Sequence, residues 1–183
     1  MTSFDLGALT AVAVADQPEL VAPPTARLIA DLGWGERLGA VAIDPSLSDT
    51  ANFTAAYGLT DELAANCVIV SGMRNGEERV AACVILASTR ADVNTVVRKR
   101  LDVRKASFLP LDEAVQRTGM EYGGITPIGL PSGWPILIDS RVAASGLLTL
   151  GAGVRASKII IPGALLAQLP GAEVIEDLAR IVA

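Results

Sequence analysis

Ten residues, Tyr122-Gly123-Gly124-Ile125-Thr126-Pro127-Ile128-Gly129-Leu130-Pro131, set three glycines and two prolines inside an otherwise apolar stretch. Gly123, Gly124 and Gly129 can adopt positive φ or admit another molecule to the backbone, while Pro127 and Pro131 fix φ and donate no hydrogen bond. Such a loop can turn its amides toward a ligand. Paired glycines also build plain turns, and the spacing alone leaves both readings open. A second constellation is basic: Arg98, Lys99, Arg100, Arg104 and Lys105 fall within eight positions, opposed only by Asp102. The cluster suits phosphate contacts with an RNA stem. It equally suits a solvated helix end whose cations complement the negative pole of the helix dipole.

What is missing narrows the chemistry further. The chain has no histidine, which excludes Ser-His and Cys-His nucleophilic systems and His-ligated zinc. Its two cysteines, Cys67 and Cys83, lie in apolar strand-like runs and read as small buried hydrophobes rather than as a disulfide or a metal site. Carboxylates, lysine, hydroxyls, backbone amides and the substrate itself remain, with no cofactor or metal expected. A formal charge of −5 and a pI near 4.7 speak against a general nucleic-acid coat and against DNA. Mean hydropathy is +0.45, yet the longest apolar runs, 8–15 and 159–167, are far shorter than the roughly 18–20 residues of a membrane span. Asp5 stands where a signal peptide carries Lys or Arg, so a cytoplasmic location is expected.

The elements that must position these residues form a mixed α and β pattern. Pro23-Pro24-Thr25 opens a helix, with Thr25 as its cap, closing at Gly33-Trp34-Gly35. Gly39–Ile43 reads as a strand, and Asp44-Pro45-Ser46 turns into a helix from Ser48 to Tyr57 stopped by Gly58. Residues 66–71 and 78–87 are β-rich and flank Asn75-Gly76, a hairpin signal because both residues tolerate positive φ. Helical spacing follows over Asp92–Leu101, a strand at 107–109, and a helix from Pro110 to Thr118 ended by Gly119. Strands are expected at 136–138, 147–150 and 158–161, then a helical turn from Pro162. Glu173–Val182 fits either helix or edge strand. No repeat, linker or low-complexity tract interrupts the chain, which reads as one domain over 1–183.

From about Asp44 to Ser157 the sequence resembles the YbaK/EbsC family, the prolyl-tRNA-synthetase-associated editing domain. The resemblance rests on the helix at Ser48–Tyr57, the strand Ala65-Asn66-Cys67-Val68-Ile69-Val70, the segment Asp92–Phe108, the Gly-x-x-x-Pro loop Gly123–Pro127, the strand Ile136-Leu137-Ile138-Asp139 and the turn Gly151-Ala152-Gly153. It implies an α+β fold: a curved, largely antiparallel mixed sheet approaching a barrel, flanked by helices. It also implies hydrolysis in trans of the ester of a mischarged tRNA. The tRNA acceptor end would be the partner, with an aminoacyl-tRNA synthetase as a further one. A synthetase pocket rejects a smaller amino acid by only a few kcal/mol, so a second hydrolytic site supplies the missing discrimination.

The same resemblance assigns roles. Gly123, Gly124, Ile125, Thr126, Pro127 and Gly129 would form the wall that holds the aminoacyl group. By its charge rather than by the resemblance, the cluster of Arg98, Lys99, Arg100, Arg104 and Lys105 would meet the RNA. Family members usually write Ala-Lys-Thr-Leu-Val where this chain has Ala65-Asn66-Cys67-Val68-Ile69, so Asn66 replaces a functional lysine. Strand alternation then points Asn66 into the pocket and Cys67 into the opposite, buried layer. Asn66 can orient a water or a ribose hydroxyl; it can also merely satisfy a strand-end backbone group. Asp139, at the end of an apolar strand, can anchor the loop or receive a proton, or cap the turn at 140–144. Trp134 can stack on the terminal adenine or cover core. Loss of the lysine also leaves open a non-catalytic module that binds an aminoacyl-tRNA end or a small amino-acid-like ligand.

Overall fold

A computed structural model describes residues 3–182; Met1, Thr2 and Ala183 lie outside the described residues. The chain opens with a hairpin absent from the sequence reading, β1 (Ser3–Leu6) and β2 (Leu9–Ala13). Helix α1 (Pro23–Asp31) follows, with both prolines in its first turn, where their missing N–H groups cost nothing. Ala22 rather than Thr25 is its cap, and Thr25 is buried inside the first turn with its hydroxyl unpartnered among the described residues. After β3 (Gly39–Ala42), α2 (Thr50–Ala56) starts two residues later than Ser48, because Asp49 caps it by accepting from the Ala51 amide at 3.2 Å.

The long hairpin of β4 (Ala65–Arg74) and β5 (Glu77–Leu86) turns at Asn75 (φ 52°) and Gly76 (φ 83°), the two positive φ angles a tight hairpin turn requires. Beyond β6 (Thr89–Ala91), the helical spacing at 92–101 becomes a π-helical turn (Val93–Val97) running into the short α3 (Arg98–Arg100). The remaining elements are β7 (Ala106–Phe108), α4 (Leu111–Thr118), β8 (Ile136–Asp139), α5 (Ser140–Ala143), β9 (Leu147–Gly151), β10 (Ser157–Pro162) and α6 (Gly163–Leu166). The segment that fitted helix or edge strand is extended, as β11 (Ala172–Ile175) and β12 (Ala179–Ile181).

The architecture is mixed α and β, with two curled five-stranded sheets. One, in the order β1-β2-β3-β10-β9, is antiparallel throughout. The other, β11-β8-β5-β4-β7, is mixed, with β8 parallel to both β5 and β11. A parallel bridge from Ala64 to Thr149 ties the start of β4 to β9 and brings the sheets edge to edge, and β12 pairs with β6. The main core joins both sheets, with Leu148, Leu150, Ile159 and Ile161 packing with Val84, Ile136 and Ile138. Because side chains alternate along a strand, Ile160 points the other way, into a cluster with Phe4, Leu9 and Phe53. Lys158 shares that face of β10, which brings it to Phe53 of α2.

Two glycines fix where the glycine-proline loop lies. A Cβ on Gly151 would sit 2.5 Å from the Gly124 carbonyl oxygen and 2.6 Å from that of Ile125, and one on Gly124 would sit 2.6 Å from the Val154 oxygen. The Gly153 amide donates to the Gly124 carbonyl at 2.7 Å. Loop and β9 therefore meet backbone to backbone. Replacing Gly151 with alanine is expected to lower unfolding free energy in urea by about 1–3 kcal/mol, the cost of forcing a methyl group into a filled space. Wild-type stability in Gly151→Ala would mean that the two backbones are not held in this apposition.

Candidate functional site

A cleft of about 590 Å³ opens between β4, the loop at 122–125, the chain entering α2, and the start of β10. One wall is apolar: Ala65, Cys67 and Ile69 from β4, Leu109 and Ala114 beside α4, and Ile125 from the loop. A second wall is polar, formed by Ser48, Thr50, Asn66, Arg155 and Lys158. Phe108 and Tyr122 flank the mouth, 54% and 55% exposed. Asp49 and Asp61 also reach the cleft but are solvated. Asp49 is held by its cap bond to Ala51, and Asp61 accepts from Thr54 Oγ1 at 3.1 Å.

Cys67 is a correction to the alternation argument: it faces the cleft with Ile69, packed against Leu109 and Ile125, whereas Val68 and Val70 take the opposite layer with Cys83. Burial pushes the Cys67 thiol far above its ordinary value, and Cys83 on the adjoining strand adds to this. Burial likewise pushes Cys83 up to about 12. Both thiols are protonated, so Cys67 contributes shape and no nucleophile.

Asn66 lines the same cleft, and its Oδ1 accepts from Thr50 Oγ1 at 2.6 Å. That bond leaves the amide nitrogen, a donor, without a protein partner among the described residues. Of the loop, Gly123 and Ile125 line the cleft. The loop amides alternate in use: Gly124 donates to the Glu121 carbonyl at 3.0 Å and Thr126 to Met120 Sδ at 3.5 Å, while Gly123 and Ile125 have no acceptor among the described residues.

Lys158 is 6% exposed, and its Nζ donates to the Ser48 carbonyl at 3.0 Å above the Phe53 ring, 5.1 Å from the centroid. Burial pushes the ammonium down to about 8; Asp49 opposes that shift and Arg155 adds to it. Arg155 donates from Nη1 to the Tyr122 carbonyl at 3.0 Å and from Nη2 to the Pro45 carbonyl at 3.1 Å, and its guanidinium lies 5.2 Å from the Tyr122 ring centroid. Its backbone amide donates to Glu121 Oε2 at 2.6 Å. The Ser48 hydroxyl is buried with no partner among the described residues.

Other residues singled out in the sequence are placed elsewhere. Gly124, Thr126 and Pro127 are buried beneath the loop, and Gly129 (φ 96°) lets the chain pass α1, where a Cβ would lie 2.5 Å from the Pro24 oxygen. Trp134 packs with Ile69, Leu109 and Ala114 under the Arg117 guanidinium, 5.0 Å from the ring centroid, so it covers core and does not reach the cleft. Asp139 is 1% exposed and outside the cleft. It caps α5 by accepting from the Arg141 amide at 2.9 Å, pairs with the Arg141 guanidinium at 2.8 Å, and accepts from the Ala179 amide at 2.9 Å. The basic cluster divides. Arg100 forms a two-pronged pair with Glu173, and Arg98 Nε donates to the Asn94 carbonyl, whereas Lys99, Arg104 and Lys105 are exposed. Strand β7 carries the chain from Lys105 to Phe108 at the cleft mouth.

Sequence reasoning missed Ser48, Thr50, Arg155 and Lys158. Lys158 carried one usable signal, a lone charge beginning the apolar run Lys158-Ile159-Ile160-Ile161. The sequence profile of the aminoacyl-tRNA editing domain matches residues 44–169, which include every cleft residue named above. Among solved structures, the crystal structure of a hypothetical protein superposes with a TM-score of 0.74 at 20% identity, covering 86% of this chain and 99% of that one. A candidate trans-editing enzyme for prolyl-tRNA synthetase superposes at 0.69 and 16% identity, covering 85% and 97%. At these identities the structural likeness carries the fold alone.

The bonding of Asp139 generates a stability prediction. Burial pushes its carboxyl up, but the bonds from Arg141 and Ala179 and the Arg141 charge outweigh this and hold it below the ordinary 3.8. A carboxyl depressed on folding contributes stability that is present above its unfolded value and lost as pH falls through the folded value. Asp139→Asn should therefore be less stable than wild type by about 1–3 kcal/mol at pH 6–8, the cost of unsatisfying buried charged partners. The gap should begin to narrow below about pH 4 and close only as pH falls through the lower, folded value, where the wild-type carboxyl protonates. A gap unchanged down to the acid limit of folding would remove the charge from this account.

Proposed function

Because the chain belongs to the aminoacyl-tRNA editing domain family, we propose that it is a trans-acting deacylase that hydrolyses the ester of a mischarged tRNA in the cleft between Asn66 and the loop at 122–125. The observation that carries this reading is a single cleft lined by Asn66 and by Gly123 and Ile125, whose amides have no acceptor among the described residues, inside the matched segment. Its two walls suit the two halves of such a substrate. The amino-acid side chain lies against Cys67, Ile69, Leu109 and Ile125, where its size is tested, and the ribose faces Asn66 and Thr50. Phe108 and Tyr122, in place of Trp134, offer exposed aromatic faces to the unpaired bases of the acceptor end.

Water attacks the ester carbonyl carbon, and the carbonyl oxygen becomes an oxyanion that the amides of Gly123 and Ile125 stabilise. The bond from that carbon to the ribose oxygen then breaks, the proton given up by the attacking water passes to the ribose oxygen, and free amino acid and uncharged tRNA leave. Asn66 Nδ2 orients the attacking water or the neighbouring ribose hydroxyl. It works by position, since an amide has no charge to lend. Lys99, Arg104 and Lys105, leading along β7 to the mouth, meet the phosphates of the acceptor stem. The synthetase that makes the error is a further partner on this reading, and the cytoplasm, where tRNA is charged, is its compartment. A non-catalytic module that only holds the aminoacyl end is the second reading, favoured by the amide at position 66.

Deacylation assayed over a panel of mischarged tRNAs separates the two. The enzyme reading requires hydrolysis of at least one member, and Asn66→Ala should slow single-turnover hydrolysis of that member by about 10- to 1,000-fold with the fold intact. If no member is hydrolysed while a stable amide-linked aminoacyl analogue still binds, the module is a binder. For the RNA face, Arg104→Glu with Lys105→Glu should weaken tRNA binding and flatten its dependence on salt, because lost phosphate contacts release fewer counterions. Arg100→Glu, whose charge is already taken by Glu173, should change both far less. Equal effects of the two variants would return the cluster to a solvated face.

A further inference from the structure

The polar wall holds three groups that the hydrolytic scheme leaves unused. Lys158 is a buried cation with no carboxylate at ion-pair distance among the described residues; its ammonium touches a backbone carbonyl and an aromatic face. Arg155 likewise spends its guanidinium on two carbonyls and a ring, not on an acid. The Ser48 hydroxyl is 2% exposed, and it belongs to a cleft-lining residue and has no partner among the described residues. These groups converge: a Cβ placed on Gly123 would lie 3.0 Å from Arg155 Nη1 and 3.1 Å from Ser48 Oγ, and Lys158 is tied to the same serine through its carbonyl. The acids facing Lys158 do not neutralise it, since Asp49 acts from a distance while exposed and capping α2, and Asp61 is bound to Thr54.

Two cations and an unsatisfied hydroxyl around one space form a site for a compact anion with several acceptor oxygens. We infer that Lys158, Arg155 and the Ser48 hydroxyl bind a phosphate ester, the phosphate on the 5′ side of the terminal nucleoside of the substrate RNA. This rests on the proposed function for the identity of the ligand, and it adds a phosphate subsite supplied by β10 and the turn before it. Lys158 and Arg155 then act as positioning residues: they fix the terminal nucleotide so that its ester meets the loop amides. No residue of β4 carries charge for this purpose.

The test titrates adenosine 5′-monophosphate, adenosine and inorganic phosphate separately into the full chain at pH 7 and low salt. Wild type should bind the monophosphate at least about tenfold more tightly than adenosine, the effect of one hydrogen bond to a charged group. Lys158→Met should bring the two within about twofold of each other, and Lys158→Arg should keep most of the preference. Acetylation of Lys158 in the wild type, read by mass spectrometry at pH 8.5, should be slowed by the monophosphate and not by adenosine. That measurement, with Lys158→Arg, decides the matter even if Lys158→Met fails to fold. Equal affinities in the wild type, a preference that survives in folded Lys158→Met, or no protection of Lys158 would overturn the site. Inorganic phosphate competing as well as the monophosphate would overturn its assignment to a nucleotide. The readouts are independent of hydrolysis. A protein that deacylates nothing yet prefers the monophosphate keeps this site and loses the proposed activity, and the reverse result does the opposite.

Discussion

The cleft depends on two stretches of backbone meeting with no side chain between them. Gly151 on β9 faces the carbonyls of Gly124 and Ile125, and Gly124 faces the backbone of Val154. This apposition uses up the Gly124 carbonyl and buries the second half of the loop, so the loop can present only its leading part, Tyr122 to Ile125, to the cleft. It also sets the level of β10 relative to the loop. Lys158 pairs in register with Gly151, and the turn from β9 into β10 carries Arg155 over Tyr122. Loop amides and wall cations are thus positioned by one contact that tolerates only glycine.

A second group of interactions, each made by a charged side chain, secures the C-terminal segment. Asp139 accepts from the Ala179 amide while paired with Arg141; Asp92 pairs with Arg180, and Arg100 with Glu173. Each tie joins β11 or β12 to an element more than 35 positions away in sequence. Asp139 and Arg100 attracted functional readings because each is a charge at the end of an apolar or helical run. Their partners lie in a stretch whose own conformation the sequence left open, and that is why a catalytic acid and a structural one could not be told apart there. The exposed pairs contribute little individually, whereas the buried carboxylate of Asp139, with all its bonds satisfied, holds its strand end in place.

Features encoded within a few residues were legible in the sequence. The Asn75-Gly76 hairpin, the stop at Gly119 and the strands expected at 136–138, 147–150 and 158–161, each found within a residue at either end, needed only local conformational preference. The loop at 122–131 was legible as a shaped loop, and Asn66 as its neighbour. What escaped was long-range or one residue out of phase. The β1–β2 hairpin has no strong turn pair. Thr25 lost its capping role because Pro23 and Pro24 start the helix before it. Cys67 turned to the cleft although alternation counted from Asn66 had assigned it to the other layer. Lys158 depends on Ser48, 110 positions earlier, and no spacing rule connects them.

The cleft therefore draws its charge from a different strand than the resemblance led one to expect. A lysine at position 66 would lie in the same 590 Å³ space as Lys158 and Arg155. The ammonium of Lys158 is already pushed down to about 8 by burial, with Arg155 adding to the effect. A third cation in the same cleft would depress it further and favour its neutral form, since like charges in a poorly solvated space disfavour one another. An amide at 66 avoids that repulsion while keeping a donor beside Thr50. The uncharged residue on β4 and the buried lysine on β10 are therefore physically coupled: with the cation on β10, neutrality at position 66 lets Lys158 remain charged near neutral pH.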